Sequence, residues 1–361
     1  MDSFLPQTDE LSSIIQRKAV ELLNKLMKLP VEELGLPYYC LEYFKSSHFK
    51  RLFFSIETSA HLLHRSITLI DKPANEIVIM DYGAGVGTLY MLAKMIGCKT
   101  VIYNDHLEDW KTSALLIAQA IGIEIDEYVV GDIEQTLINL ESKSIVCDVI
   151  TSRNVIEHIY KLDHFFDTVF SYQPTALVYS STTANYNNPA SRVKHLLWHR
   201  KWEKTFLPQR FALIHEKLPD YPESEKMELA KATRGLALDD FEKAIKRYSA
   251  DKTLPDPSIH HTNTVDTSTG VWFEHLLPFT TYRKLVSPDK YELRFEPGFW
   301  DTHNQSKWKN LLGAILNPAI KYSRKAGVGL APFIYVIAVP LSSTRNKSYK
   351  NPLPLQQNTP G

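Results

Sequence analysis

The chain has 361 residues, 41 basic and 41 acidic side chains, and 44% hydrophobic residues. That length suits one large domain or a core with additions, and the even charge excludes a global field drawing in nucleic acid or an anionic membrane. No apolar run approaches the ~20 residues of a membrane span, and MDSFLPQTDE lacks the basic-then-apolar pattern of a signal peptide. Cys40, Cys98 and Cys147 are odd in number and unevenly spaced. They suggest reduced, buried thiols in a cytoplasmic protein rather than a disulfide framework or metal site.

Residues 1–72 read as a helical cap. Ile15, Ala19, Leu22, Leu23 and Leu26 recur at helical spacing until Pro30, and a longer stripe runs from Phe49 through Leu52, Ile56, Ala60, Leu63 and Ile67 to Ile70. Between them lies Pro37-Tyr38-Tyr39-Cys40-Leu41-Glu42-Tyr43-Phe44. Its tyrosines either line a site or anchor these helices on the main domain.

The stretch Glu76–Met95 then organises the chain. Ile77 to Met80 is an apolar run of the kind a doubly buried strand produces. Asp81-Tyr82-Gly83-Ala84-Gly85-Val86-Gly87 follows, and a helical pattern opens at Thr88. A strand, a glycine turn and a helix start form a nucleotide-binding corner. The spacing is not the G-x-G-x-x-G that seats a pyrophosphate on a helix dipole. It is an acid followed by G-x-G-x-G.

In that form the stretch resembles the first motif of class I S-adenosylmethionine-dependent methyltransferases. The resemblance implies that Gly83, Gly85 and Gly87 pass the methionine part of the cofactor. It also implies that Asp81 meets its amino group, directly or through water. Taken as a bend alone, the same glycines would only turn the chain.

Strands and helices alternate from here, which argues for a parallel sheet covered on both faces. Thr100 to Asn104 is the second strand, ending in Asp105, an acid placed to accept from ribose hydroxyls; otherwise Asp105 caps the helix beginning near Asp109. Glu127 to Val130 is the third strand and ends in Gly131-Asp132-Ile133. By the resemblance, Asp132 accepts from the adenine amino group and Ile133 lies against the ring. Val146 to Thr151 is the fourth strand, followed by Ser152-Arg153-Asn154-Val155-Ile156-Glu157-His158-Ile159. This segment is similar to that of small-molecule methyltransferases of the ubiquinone-biosynthesis type. It places Asn154 near the transferable methyl group. His158 is the nearest group suited to general-base work, unless Glu157 and His158 only orient the loop or cap the helix from Leu162 to Tyr172. Thr175 to Ser181 is the fifth strand.

The pattern lapses from Thr182 to about Asp266, and residues 186–266 are expected to form a helical lid inserted between the fifth and sixth strands. Arg192 to Trp202 within it is basic and aromatic. It would bind phosphate or RNA, or form an amphipathic helix with Val193, Leu196 and Leu197 inward. His260 and His261 lack i, i+4 metal spacing. The pattern returns from Gly270 through Val286, with Tyr291 to Glu296 as the sixth strand, Trp308 to Tyr322 as a helix and Pro332 to Pro340 as the seventh strand. The resemblance makes that seventh strand antiparallel, beside the fifth. Residues 341–361 read as a disordered tail.

The expected architecture is therefore α/β: a Rossmann-like seven-stranded methyltransferase sheet over residues 73–340, with the helical cap and helical insertion. The expected activity is methyl transfer from S-adenosylmethionine to a small-molecule acceptor, with no metal. The alternatives are an RNA or protein methyltransferase using the basic insert, and a non-catalytic S-adenosylmethionine-binding protein.

Overall fold

Five β-strands carry apolar residues on both faces, and this demands cover on both sides. In the computed structural model, which describes residues 3–255, 263–267, 274–323 and 326–341, that cover is provided by helices on each face of one sheet. The strands are β1 (Val78–Tyr82), β2 (Thr100–Asp105), β3 (Glu127–Val130), β4 (Val149–Arg153), β5 (Leu177–Thr182), β6 (Tyr291–Pro297) and β7 (Ile334–Pro340). Their spatial order is 3-2-1-4-5-7-6. Strands β1 to β5 run parallel, and β7 pairs antiparallel with both β5 and β6. Successive strand residues point to opposite faces, so Ile79, Val101, Val149 and Ile337 enter one core while Met80, Ile102, Ile150 and Val336 enter the other. This is the expected α/β Rossmann-like seven-stranded sheet, with the antiparallel seventh strand slotted beside the fifth.

The first core is covered by α1 (Glu10–Met27), α2 (Tyr38–Tyr43), α3 (Leu52–Ile70), α4 (Leu89–Met95) and α5 (Glu108–Ala120). Helix α1 opens on a reciprocal Asp9/Ser12 cap. Helix α3 is tied to the glycine turn by hydroxyls, with Thr88 Oγ1 lying 3.1 Å from Ser55 Oγ and 2.9 Å from Ser59 Oγ. The second core is covered by α6 (Ile133–Ser142) and α7 (Leu162–Tyr172). Three free cysteines are buried, and burial pushes the Cys98 and Cys147 thiols up to about 12. Among the described residues, no helix is long and apolar enough to cross a membrane.

Between β5 and β6 come α8 (Pro189–Lys217), α9 (Glu223–Ala232), α10 (Leu238–Asp251) and α11 (Phe279–Leu285). After β6 come α12 (Lys307–Tyr322) and α13 (Gly327–Leu330). Helix α8 runs through Pro208. An internal proline costs about 3 kcal/mol. The cost is offset by Ile214, which joins Leu218, Leu229, Phe241, Ile245 and Tyr248 in a separate small core, and by buried Arg210, paired with Glu203 and bonded to the Ala230 carbonyl at 3.1 Å. The inward face of α8 also differs from expectation. Val193 and Leu197 are exposed, and His195 and His199 are buried instead. His195 Nε2 reaches Glu274 at 2.7 Å, and His199 Nε2 lies 2.9 Å from the Glu274 carbonyl oxygen. His260, His261, the Gly270–Phe273 segment and residues 342–361 lie outside the described residues.

Candidate functional site

Strand order reverses between β1 and β4, the place where open α/β sheets take ligands. There β1 ends and Gly83–Gly87 carries the chain into α4. Gly83 has φ +67°, and a Cβ on it would stand 2.7 Å and 2.8 Å from the Val155 methyls, so only glycine fits. At Gly87 a Cβ would meet the Ala84 carbonyl oxygen at 2.7 Å; that oxygen already accepts the Gly87 N–H at 2.9 Å.

Two buried acids sit beneath the turn. The Asp81 carboxylate accepts the Tyr90 N–H from the first turn of α4 at 3.2 Å. Burial raises its pKa to about 7, with the Arg153 charge opposing and the Asp105 charge adding to the rise. Asp105 accepts the Gly85 N–H at 2.9 Å and the Leu107 N–H at 3.3 Å. His106 Nδ1 stands 3.1 Å away, and its bond to Asp105 raises the His106 pKa. Asp105 thus braces the glycine turn.

The fourth strand begins three residues later than expected. Val146 is exposed and lies outside it, while Arg153, expected in the following loop, is its last residue. Asn154 then takes φ +58°, a left-handed conformation that asparagine tolerates better than most residues. Its N–H donates to the Ser181 carbonyl at 2.8 Å. A 3₁₀ turn, Ile156–His158, follows. Across the gap, α2 runs on into a π-helical turn, Phe44–His48, a geometry that recurs at functional sites. It buries His48, whose Nε2 has no hydrogen-bond partner among the described residues. Burial, then the Arg153 charge, lowers the His48 pKa to about 3, so its imidazole is neutral. Tyr39 and Tyr43 stand edge-on to Trp110, with ring centroids 5.5 Å and 5.3 Å away.

These segments enclose a cavity of about 330 Å³, at the lower end of ligand-site sizes. Asp81, Gly83, Gly85, Gly87, Asp105, Asn154 and His158 all line it, together with Tyr43, His48, Trp110 and Arg153. Asp132 and Ile133 do not. They line a second cavity with Tyr82, Tyr160 and Phe165, and Asp132 caps α6 by accepting the Gln135 N–H at 2.9 Å. His48, Trp110 and Arg153 were not singled out from the sequence. Only the position of Arg153 next to Asn154, at a strand tip, offered a signal.

Glu274 connects the site to the insertion. Burial acts to raise its carboxyl, but the His195 bond and the charges of His195, His158 and Lys194 outweigh burial and hold it below the usual range. Among the described residues, no three His, Cys, Asp or Glu side chains gather as a metal site.

No protein-family model matches the chain, and no curated protein matches it. It is similar to several solved structures. One is ribosomal protein L11 methylase from Lactobacillus delbrueckii subsp. bulgaricus, at 20% identity over 36% of this chain and 60% of that one, with a TM-score of 0.28. Another is magnesium protoporphyrin IX methyltransferase from Synechocystis PCC 6803, at 17% identity over 39% and 72%, TM-score 0.29. A third is an S-adenosylmethionine-dependent methyltransferase from Clostridium acetobutylicum, at 15% identity over 40% and 59%, TM-score 0.33. The match thus spans less than two thirds of the first and third of these proteins. With TM-scores so low, the fold assignment rests on the chain's own strand order.

Proposed function

We propose that the chain binds S-adenosylmethionine in the cavity at the tips of β1, β2 and β4 and transfers its methyl group to a small molecule. The observation that supports this most is the convergence of Asp81, the Gly83–Gly87 turn and Asp105 on one cavity at the switch point of a 3-2-1-4-5-7-6 sheet. The donor set fits the cofactor. Gly85 opens onto free space, since a Cβ on it would meet nothing within 4 Å. Asp81 is suited to an ammonium and Asp105 to ribose hydroxyls, while Asp132 and Ile133 offer an acid and an apolar surface for the adenine in the second cavity. When bound, the cofactor supplies an activated methyl on a sulfonium.

The protein's share of the reaction is to align the acceptor and exclude water. Trp110, Tyr39 and Tyr43 shield the cofactor cavity on the side of the helical cap. Asn154 stands at the junction with the acceptor. His158 takes up a proton where the acceptor starts protonated, and neutral His48 offers hydrogen bonding on the opposite wall. Residues 186–266 act as a lid, with Glu274 and the α8 histidines holding it beside the site. A small acceptor is favoured over RNA because the compartment beyond the cavity holds only about 140 Å³. Basic groups of the insert are also engaged on rings, Arg192 over Tyr186 at 4.3 Å and Lys194 over Trp198 at 4.1 Å. A ubiquinone-biosynthesis-like subtype and a cytoplasmic setting belong to the same proposal. Incubation with labelled cofactor and metabolite fractions tests it: one fraction should yield S-adenosylhomocysteine, and cofactor binding without turnover on any fraction would leave only a binding protein.

A further inference from the structure

A second compartment, of about 140 Å³, shares Tyr43, His48, Arg153 and Asn154 with the cofactor cavity and extends beneath α3. Its distinguishing feature is positive charge without a matching carboxylate. Arg153 reaches it from the end of β4. Among the described residues, only its Nη1 is engaged, donating to the Ser55 carbonyl at 2.6 Å and to Thr58 Oγ1 at 3.0 Å, with Ser59 Oγ at 3.5 Å. Arg51 lines the same space, and its guanidinium lies 5.5 Å from the Phe54 ring centroid. Among the described residues, the partners of Arg153 are hydroxyl and carbonyl oxygens and that of Arg51 is a ring, with no carboxylate at ion-pair distance of either. Asp81 faces Arg153 from the cofactor side, and burial holds the Arg153 pKa below its ordinary range despite that charge. Lys194 of α8 does not line the compartment but stands close enough to feel the Arg51 charge. Burial lowers its pKa and the Arg51 charge adds to the fall, with Glu274 opposing.

A sparsely paired, partly buried cation is costly, and an anion that completes its hydrogen bonds recovers much of that cost. A guanidinium fork matches the two oxygens of a carboxylate. The rest of the lining suits a small acid with a flat or apolar body. The Phe54 and Phe333 rings stand edge to face at 6.2 Å, Ser181 and Thr183 contribute polar groups, and the buried, unpartnered Nε2 of His48 lies at the junction with the cofactor cavity.

We infer that the acceptor is a small carboxylic acid whose carboxylate is anchored between Arg51 and Arg153, with its body against Phe54 and Phe333. The word acceptor rests on the methyltransferase reading; the anion site does not. Arg51 is the residue to perturb, because it is exposed and lies outside the cofactor cavity. Benzoate, nicotinate, cinnamate and hexanoate, each paired with its carboxamide, are titrated calorimetrically into the full chain, with and without S-adenosylhomocysteine. At least one acid should bind ten-fold or more tighter than its amide. Arg51→Gln should abolish that preference while leaving S-adenosylhomocysteine affinity within two-fold. Acid binding should also raise the His48 imidazole pKa, followed by NMR, because the carboxylate offsets the Arg153 charge. Acids and amides that bind alike, or not at all, in a protein that binds S-adenosylhomocysteine overturn the inference and leave the cofactor reading standing. A protein that takes the acid but no nucleoside does the reverse. Phenyl phosphate binding where no carboxylate does overturns it in favour of a phosphate-bearing ligand.

Discussion

Asp81 should make cofactor affinity depend on pH with a predictable shape. In the free protein its pKa is raised to about 7, chiefly by burial. A ligand ammonium beside it favours the ionised form and lowers that pKa. Binding below pH 7 must therefore expel a proton, and affinity should fall about ten-fold, or about 1.4 kcal/mol, for each pH unit below 7. At about pH 5 the loss relative to about pH 8 should be roughly 100-fold, with a plateau above pH 7. Asp81→Asn should flatten this slope and weaken binding at high pH by about 1.5–3 kcal/mol, the scale of a charge-assisted hydrogen bond. His106, whose pKa the Asp105 contact raises, titrates nearby, and the Asn variant separates the two because it retains the His106 contribution. The assay is calorimetry with S-adenosylhomocysteine from about pH 5 to 8, in buffers of different ionisation enthalpy. An unchanged affinity across that range with no proton release, or an equal slope in Asp81→Asn, would refute the assigned role of Asp81.

Gly83→Ala should destabilise the fold by about 2–5 kcal/mol in denaturant titrations, combining a left-handed residue with overpacking against Val155. Adding Val155→Ala should recover the packing share and leave the backbone share. Asp105→Ala should weaken S-adenosylhomocysteine binding by roughly 1–3 kcal/mol and, because Gly85 N–H loses its acceptor, also lower the melting temperature. An unchanged affinity would move the ribose partner elsewhere. His158→Gln should cut turnover by about 10²–10⁴-fold with cofactor binding preserved. Normal turnover in that variant would reduce His158 to a loop-orienting residue and direct attention to His48 and Tyr43.

The parallel half of the sheet was legible because its signals are local. Buried strands of Val and Ile, glycines at alternate positions and acids at strand tips act within a few residues of one another. β3 and α7 begin and end where the sequence placed them. What was not legible depends on partners far along the chain. Arg153 reads as a loop residue because nothing near it shows that β4 starts at Val149 rather than Val146; the register with Leu177 and Ile79 decides that. The inward face of α8 was misread because His195 and His199 are buried by Glu274, 79 and 75 residues away. Apolar Val193 and Leu197 are left to solvent. Helix α8 continues past Pro208 because the insertion core that offsets the local cost is assembled from α9 and α10. His48 carried no signal at all. Its role depends on a π turn that no residue pattern in Phe44–His48 announces.

The central claim is that the cavity beneath Gly83–Gly87 takes S-adenosylmethionine and not a dinucleotide. Calorimetric titration of the full chain at about pH 8, with S-adenosylhomocysteine and separately with NAD, addresses it directly. S-adenosylhomocysteine should bind at a single site, with affinity lost in Asp81→Asn and Asp105→Ala, and NAD should give no saturable heat. Saturable NAD binding with no response to S-adenosylhomocysteine would contradict it.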